Sequence, residues 1–313
     1  MTGIQLPQTP FAVLARHGSP TIEVLTGRTL DVDLLADIQR RGGEITAIEV
    51  SQAAQIGDPA SVAILTESGH LIGQVVATLA NALNPELIVL SGSIVQTNDI
   101  LLAALREALP NLLTSLDTWR AEVADACSGL VDLVNDTWQG ADPDLLGVAA
   151  RDGVGYVVSH TGGLPPRTDP VGVDYGPGDA VVDDVVRVLS EGATRAEAAG
   201  LPRERILIDP TLDFGKTTLN SLTLVAQTSR VVDLGYPVLQ AISRKDFVGE
   251  TLDLAIDERL EGTLAATAIA AWQGATVFRA HDVRATRRVL DMVASIRGDR
   301  PPSLSVRGRR TAG

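Results

Sequence analysis

The chain has 313 residues, 45% of them apolar, 21% charged and only 3% aromatic, with 26 basic against 39 acidic side chains and a net charge of −13. That length suits one large or two ordinary globular domains, and the acidic balance excludes nucleic acid or an anionic membrane surface held by bulk charge. A single cysteine, Cys127, excludes an intramolecular disulfide and a cysteine-cluster metal site, and suits a reducing compartment.

Met1–Pro10 lacks the basic flank and apolar core of a secretory signal. The uncharged stretch Leu71–Pro85 carries Gln74, Thr78, Asn81 and Asn84, too polar and too short to span a bilayer. The expectation is a soluble, cytoplasmic protein. Of the 26 basic residues only Lys216 and Lys245 are lysines. Lysine is a compact, flexible point charge and arginine a rigid fork, so these two positions either answer a need or survive a compositional bias.

Upstream, Phe11–Arg16 and Thr21–Leu25 are weak strand candidates, and Thr46–Glu49 has the spacing of a capping box that opens a helix. Glu86–Ser91, a helical Asp99–Leu109 and Leu112–Asp117 make a right-handed βαβ unit. From there strands alternate with helices. Leu112–Asp117, Leu130–Asp136, Gly155–His160, Ile206–Asp209, Pro237–Ser243 and Thr276–His281 read as strands. The amphipathic stretches Trp119–Ser128, Leu145–Asp152, Asp179–Ala199, Ser221–Leu234, Leu260–Gln273 and Ala285–Ile296 read as helices.

Such alternation implies a parallel sheet, either open or closed into a barrel. The strand ends decide between them. Asp117, Asn135–Asp136, His160, Asp209, Ser243–Arg244–Lys245, and Arg279 with His281 all stand at C-terminal ends. In a (β/α)₈ barrel those ends converge on one face, where such barrels bind and react. The expected fold is therefore α/β, a (β/α)₈ TIM-like barrel whose first two strands are missing or replaced by the upstream segment.

Six motifs make residues 113–309 resemble the dihydropteroate synthase family, in particular its divergent actinobacterial branch. They are Ser115-Leu-Asp-Thr-Trp-Arg120, Val134-Asn-Asp-Thr-Trp138, Ile208-Asp-Pro-Thr-Leu-Asp-Phe-Gly-Lys216, Ser243-Arg-Lys-Asp-Phe-Val-Gly249, Glu258-Arg-Leu-Glu-Gly-Thr-Leu-Ala-Ala266 and Phe278-Arg-Ala-His-Asp-Val283. Residues 20–109 resemble the C-terminal part of a ROK-family sugar kinase or repressor. That likeness rests on Ala53-Ala-Gln-Ile-Gly-Asp-Pro59, the helix Leu71–Leu83 and Asn84-Pro-Glu-Leu-Ile-Val-Leu-Ser-Gly92, without the family's phosphate loop, catalytic Asp segment or zinc cysteines. Two domains are expected, a ROK-like 1–110 and a pterin-binding barrel portion 111–313, with a seam near Pro110.

The resemblance implies a transferase of folate biosynthesis. The aniline nitrogen of 4-aminobenzoate attacks the methylene of a dihydropterin, and pyrophosphate leaves. Asp117, Asn135 and Asp209 would then read the pterin's donor edge, for which carboxylates and amides suit. Their bland alternative is helix capping. Lys245 would hydrogen-bond the pterin, Ser243 and Arg244 would frame the aminobenzoate site, and Phe214 would pack on substrate. Arg279 and His281 would bind the pyrophosphate, both carried on one strand face by the spacing of two. Lys245, Arg279 and His281 are thus the implied catalytic groups. Trp119 and Trp138 either line the mouth or cap the outer core, and Lys216 and His160 carry no assignment.

The resemblance also implies Mg²⁺ and a homodimer, yet the Asn that ends the family's first strand and helps hold the metal has no counterpart. Arg16-His17-Gly18 stands nearest and has different chemistry. Ser91–Gln96 replaces the loop after the second strand. The expected protein binds pterin pyrophosphate with weak or absent transfer. The alternatives are a non-catalytic pterin-binding or structural protein and, on His160, Asp209 and His281, a metal-dependent hydrolase.

Overall fold

The computed structural model describes residues 113–307 apart from 169 and 171, together with 12–16, 61–70, 87–90 and the single positions 50, 53, 54, 58, 59, 103 and 107. Eight strands form one parallel sheet: β1 Ala12–Arg16, β2 Leu87–Leu90, β3 Leu113–Thr118, β4 Leu133–Asp136, β5 Gly155–Ser159, β6 Ile206–Asp209, β7 Leu239–Gln240 and β8 Val277–Ala280. Their order is β6-β5-β4-β3-β2-β1-β8-β7. Ile208 of β6 pairs with Val238 beside β7, and its N–H donates to Pro237 O at 3.0 Å. The two ends of the sheet therefore meet, and the barrel closes.

Around it lie α1 Ala121–Ala126, α2 Leu145–Asp152, α3 Ala180–Ala198, α4 Thr218–Ala226, α5 Thr228–Val232, α6 Asp246–Leu252, α7 Leu260–Trp272 and α8 Val283–Arg297. None of the helices among the described residues is long and apolar enough to cross a membrane.

Strand alternation sorts the core into two layers. Leu133, Val157, Leu207, Leu239, Ala241 and Val277 pack together as the barrel's apolar filling, with Leu113 against them. Their neighbours Leu116, Val134, Tyr156, Val158, Ile206, Ile208 and Phe278 belong instead to the larger cluster shared with Leu145, Val185, Leu189, Leu224 and Leu290 of the helices. Burying each such side chain contributes about 1.5–3 kcal/mol. The same period of two sets the site: two residues beyond Leu133, Leu207 and Val277 on the same face come Asn135, Asp209 and Arg279. Each of these three strands carries an apolar residue at mid-barrel and a polar one at the rim.

Both strand positions in doubt are filled from upstream, so the first two are replaced and not missing. β1 lies within Phe11–Arg16 and pairs with both β2 and β8, and β2 lies within Glu86–Ser91 and pairs with β3. Thr21–Leu25, Thr46–Glu49, Leu71–Leu83 and the loop Ser91–Gln96 lie outside the described residues, as does most of Asp99–Leu109. Residues 61–70 are helical. The Asp58 carboxylate accepts the Ser61 N–H at 2.8 Å at the start of that segment, and Val50, Ala54 and Leu65 pack together.

Three expectations need correction. The single helix Ser221–Leu234 is two, α4 and α5, broken at Gln227 (φ −118°, ψ 28°). There the Thr228 hydroxyl donates back to Val225 O at 3.1 Å, and Gln273 Nε2 reaches the same carbonyl at 2.8 Å. The expected strand Pro237–Ser243 shortens to Leu239–Gln240. Five residues separate it from a helix that the sequence pattern does not announce, α6, whose preceding residue Lys245 supplies no side-chain cap.

If β1 closes the barrel, deleting residues 1–16 leaves the facing edges of β2 and β8 unpaired. The truncated chain is expected to aggregate or unfold at low urea concentration by size-exclusion chromatography and circular dichroism. A truncated chain as stable and dispersed as the full one would show that β1 is dispensable.

Candidate functional site

The polar rim gathers on one side of the barrel mouth. Phe214, Ser243, Arg244, Lys245, Arg279 and His281 line a cavity of about 370 Å³ together with Asp213 and Asp246. Below them Asn135 and Asp209 are each 5% exposed. Asp117 faces Asn135 in register, and the amide donates to its carboxylate at 2.8 Å. Arg279 pairs with the other oxygen of Asp117, reaching from β8 past two intervening strands. Both partners are largely buried, 17% and 8% exposed at the side chain.

Asp209 accepts the Thr211 N–H at 2.7 Å, and burial raises its carboxyl above the usual range while Lys245, Arg279 and Lys216 pull it down. None of the three acceptors caps a helix. Asp117 and Asn135 spend their side chains on each other and on Arg279, and Asp209 holds a turn.

The rim residues are tied to one another. Lys245 lies over the Phe214 ring, 4.5 Å from its centroid, and bonds Leu212 O. Phe214 meets Trp138 edge-on at 5.3 Å, which puts the buried Trp138 behind the cavity. Trp119 stands with Arg120 and Arg167 at a separate shallow depression. Arg244, in the left-handed backbone region (φ 56°), is turned onto Asp282 through contacts at 3.1 and 3.2 Å. β8 ends at Ala280, so His281 continues beyond the strand. It is exposed and meets the Ser243 hydroxyl at 2.9 Å through Nδ1.

Several groups that hold this arrangement lie within the motifs but carry no assigned role there. Asp213 accepts from the backbone N–H of Asp246 at 2.8 Å and exchanges hydrogen bonds with Ser221. It therefore caps α6 from another loop and fixes Phe214 relative to Lys245. Its sequence signal is an acidic residue beside Phe-Gly. Arg259 joins Arg244 O at 3.0 Å to Asp246 at 2.7 Å. Asp136 accepts from Trp138 N at 3.0 Å and Tyr156 OH at 2.8 Å, with burial pushing its carboxyl up.

His160, fully buried, turns away from the cavity to Asp184 of α3 at 3.0 Å. Burial and then the Lys216 charge push it down to about 4. With His281 exposed on Ser243, the trio His160, Asp209 and His281 does not converge as a metal-dependent hydrolase would need. Among the described residues no group of three or more His, Cys, Asp or Glu could hold a metal ion.

A closed parallel barrel with buried acceptors and cations at the C-terminal ends of its strands defines a small-molecule-binding (β/α)₈ protein. Residues 99–281 match the pterin binding enzyme family, and the chain belongs to it. Residues 27–128 match the ROK family, overlapping that range. Over 206 residues the chain is 57% identical to a Mycobacterium leprae protein named inactive dihydropteroate synthase 2, covering 65% of this chain and 71% of that one. It is 35% identical over 181 residues to the dihydropteroate synthase of Bacillus subtilis, covering 57% and 60% respectively. A solved dihydropteroate synthase from Xanthomonas albilineans in complex with 7,8-dihydropteroate superposes with a TM-score of 0.64 at 26% identity, covering 93% of this chain and 95% of that one. The chain is dihydropteroate-synthase-like.

Removing one partner of a buried ion pair strands the other charge, at a cost of about 3–5 kcal/mol. Asp117→Ala is expected to lose about 3 kcal/mol in urea denaturation. The double variant Asp117→Ala, Arg279→Met should regain a large part of that loss. Additive losses would mean the two side chains are not coupled.

Proposed function

We propose that the barrel binds a dihydropterin pyrophosphate and carries out its condensation with 4-aminobenzoate weakly or not at all. The observation that carries this is the division of the strand ends into buried acceptors, Asp117, Asn135 and Asp209, and two cations, Lys245 and Arg279, that line the cavity, with Arg279 paired to Asp117. A pterin edge presents amino and ring N–H donors that suit those acceptors. A pyrophosphate suits the rim, where Arg279, with Ser243 and His281 beside it, meets its charge. Lys245 and Phe214, stacked on each other, bound the space between, and Arg244 with Ser243 frames the side on which 4-aminobenzoate would enter. Lys245, Arg279 and His281 are the groups assigned to the reacting end.

Asp117 and Arg279 neutralise each other across the barrel. A pterin pyrophosphate satisfies both when it parts them, the donors going to Asp117 and the anion to Arg279. A pterin alone leaves Arg279 without its counter-charge, so the linked ligand is favoured over either half.

Loss of transfer is supported by what stands at the first two strands. β1 ends in Arg16, a cation where the family resemblance implies a metal-binding Asn. The carboxylates nearest the cavity are already engaged, Asp213 by the α6 backbone and Asp246 by Arg259. This donor set does not fit Mg²⁺. The inactive name of the mycobacterial relative agrees.

The ROK-like 1–110 and the barrel portion 111–313 act in this reading as one closed barrel, the first lending two strands to the second. Exposed Ile269, Trp272, Met292 and Ile296 on α7 and α8 support a homodimer, and the buried Cys127, which forms no disulfide, supports a cytoplasmic setting.

Calorimetry with dihydropterin pyrophosphate is expected to show binding, weakened at least about tenfold by Asp209→Ala and for the pterin lacking pyrophosphate. Equal binding to Asp209→Ala, or none to the wild type, would overturn the reading. Pyrophosphate release that requires both substrates at rates ordinary for an enzyme, about 1 s⁻¹ or faster, would overturn its inactive half.

A further inference from the structure

Lys216 is 5% exposed, in a chain that uses arginine nearly everywhere else. Its Nζ donates to three backbone carbonyls: His160 O at 2.8 Å, Thr211 O at 3.0 Å and Phe214 O at 2.8 Å. An ammonium has three N–H groups, and each finds its own acceptor here. One carbonyl follows β5, and the other two lie in the loop between β6 and α4. A guanidinium, planar and wider, could not converge on three carbonyls around one nitrogen.

The loop it grips is held in an unfavourable conformation. Thr211 (φ 50°), Asp213 (φ 71°) and Gly215 (φ 65°) all lie in the left-handed region, which side chains such as Thr and Asp rarely enter. A Cβ on Gly215 would come within 2.3 Å of Thr161 O, so the loop is pressed against the segment after β5. The grip reaches a buried strand-end carboxylate on one side and the cavity wall on the other. The Thr211 N–H holds Asp209, and Phe214 lines the cavity.

We propose that Lys216 is a positioning residue for the ligand cavity, its ammonium clamping the β6–α4 loop so that Asp209 and Phe214 stand in binding geometry, and that this clamp loosens by one hydrogen bond, the side chain staying buried, when the ammonium loses its proton. The proposal rests on the cavity's reading as a pterin site for its binding consequence, though not for the clamp itself. A neutral amine has two N–H groups for three carbonyls, so one buried carbonyl loses its donor.

The loosening falls at a useful pH because burial, the largest influence, pushes Lys216 down to about 7. Asp209 at the end of β6, Asp213 in the loop and Asp184 on α3 oppose that fall, and Lys245 before α6 adds to it. His160, beside it and down at about 4, stays neutral throughout this interval. The sign separates clamp from fold. A base whose folded value is lowered makes the folded chain more stable as pH rises from about 7 towards its ordinary 10.5. Weaker binding over that range is therefore not unfolding driven by this group.

The test uses the full chain with Trp119→Phe and Trp272→Phe, which leaves Trp138, packed on Phe214, as the only tryptophan. Trp138 emission is expected to titrate with a midpoint near 7, and calorimetric affinity for dihydropterin pyrophosphate to fall about tenfold from about pH 6 to about pH 8.5. Lys216→Met, checked for folding by circular dichroism, should show flat emission and the weaker affinity at both pH values. Flat emission in the chain that retains Lys216, or a titration that persists in Lys216→Met, would overturn the clamp. Absence of ligand binding at both pH values combined with a titrating emission would instead overturn the pterin reading and leave the clamp standing.

Discussion

The ion pair between Asp117 and Arg279 is the interaction around which the rest of this barrel is arranged. Its partners sit on β3 and β8, which are not neighbours. They meet only because β1 and β2 fill the gap between them and bring both strand ends to one rim. Asn135 completes the Asp117 carboxylate, and the Asp209 carboxyl feels Arg279 and Lys245. The floor is thus a balanced set of charges in a poorly solvated space, where an unbalanced one would be costly. Any ligand that enters must replace what it breaks, and that requirement selects a molecule with donors at one end and anionic charge at the other.

This dependence explains how a barrel can close with its first two strands drawn from the segment upstream of the pterin-binding match. A strand in such a fold owes the structure a backbone ladder and an apolar contribution to the filling, and many sequences meet those terms. The loop after the strand owes the chemistry, and there substitution is not neutral. The segment matched to the ROK family supplies the ladder through Leu87–Leu90 while the chain before it supplies Ala12–Arg16. Wall and floor survive this exchange because they belong to β3 through β8. The first strand now ends in Arg16.

Much of this was legible because the barrel has a simple grammar. Period two along Leu133–Asn135, Leu207–Asp209 and Val277–Arg279 places an apolar residue and then a polar one on the inner face, and the polar member marks the rim without any alignment. Helix α2 and strand β6 fall at the expected bounds, since apolar periodicity governs both. What stayed hidden depends on contacts between segments far apart in sequence. Lys216 acts through carbonyls, which every residue possesses, so no side-chain pattern advertises it. Asp213 caps a helix that begins at Asp246, and the pause between α4 and α5 depends on Gln273. The pairing of Asp117 with Arg279 spans 162 residues and could be read only once the strand order was known.

The central claim is that one ligand parts that ion pair and satisfies both halves, and the most direct measurement is a crystal structure of the chain with dihydropterin pyrophosphate bound. The account predicts the pterin ring with its donors on Asp117, Asn135 and Asp209, and the Arg279 guanidinium turned from Asp117 onto the pyrophosphate beside Ser243 and His281. A ligand seated elsewhere, or one held in the cavity with Asp117 and Arg279 still paired, would contradict it.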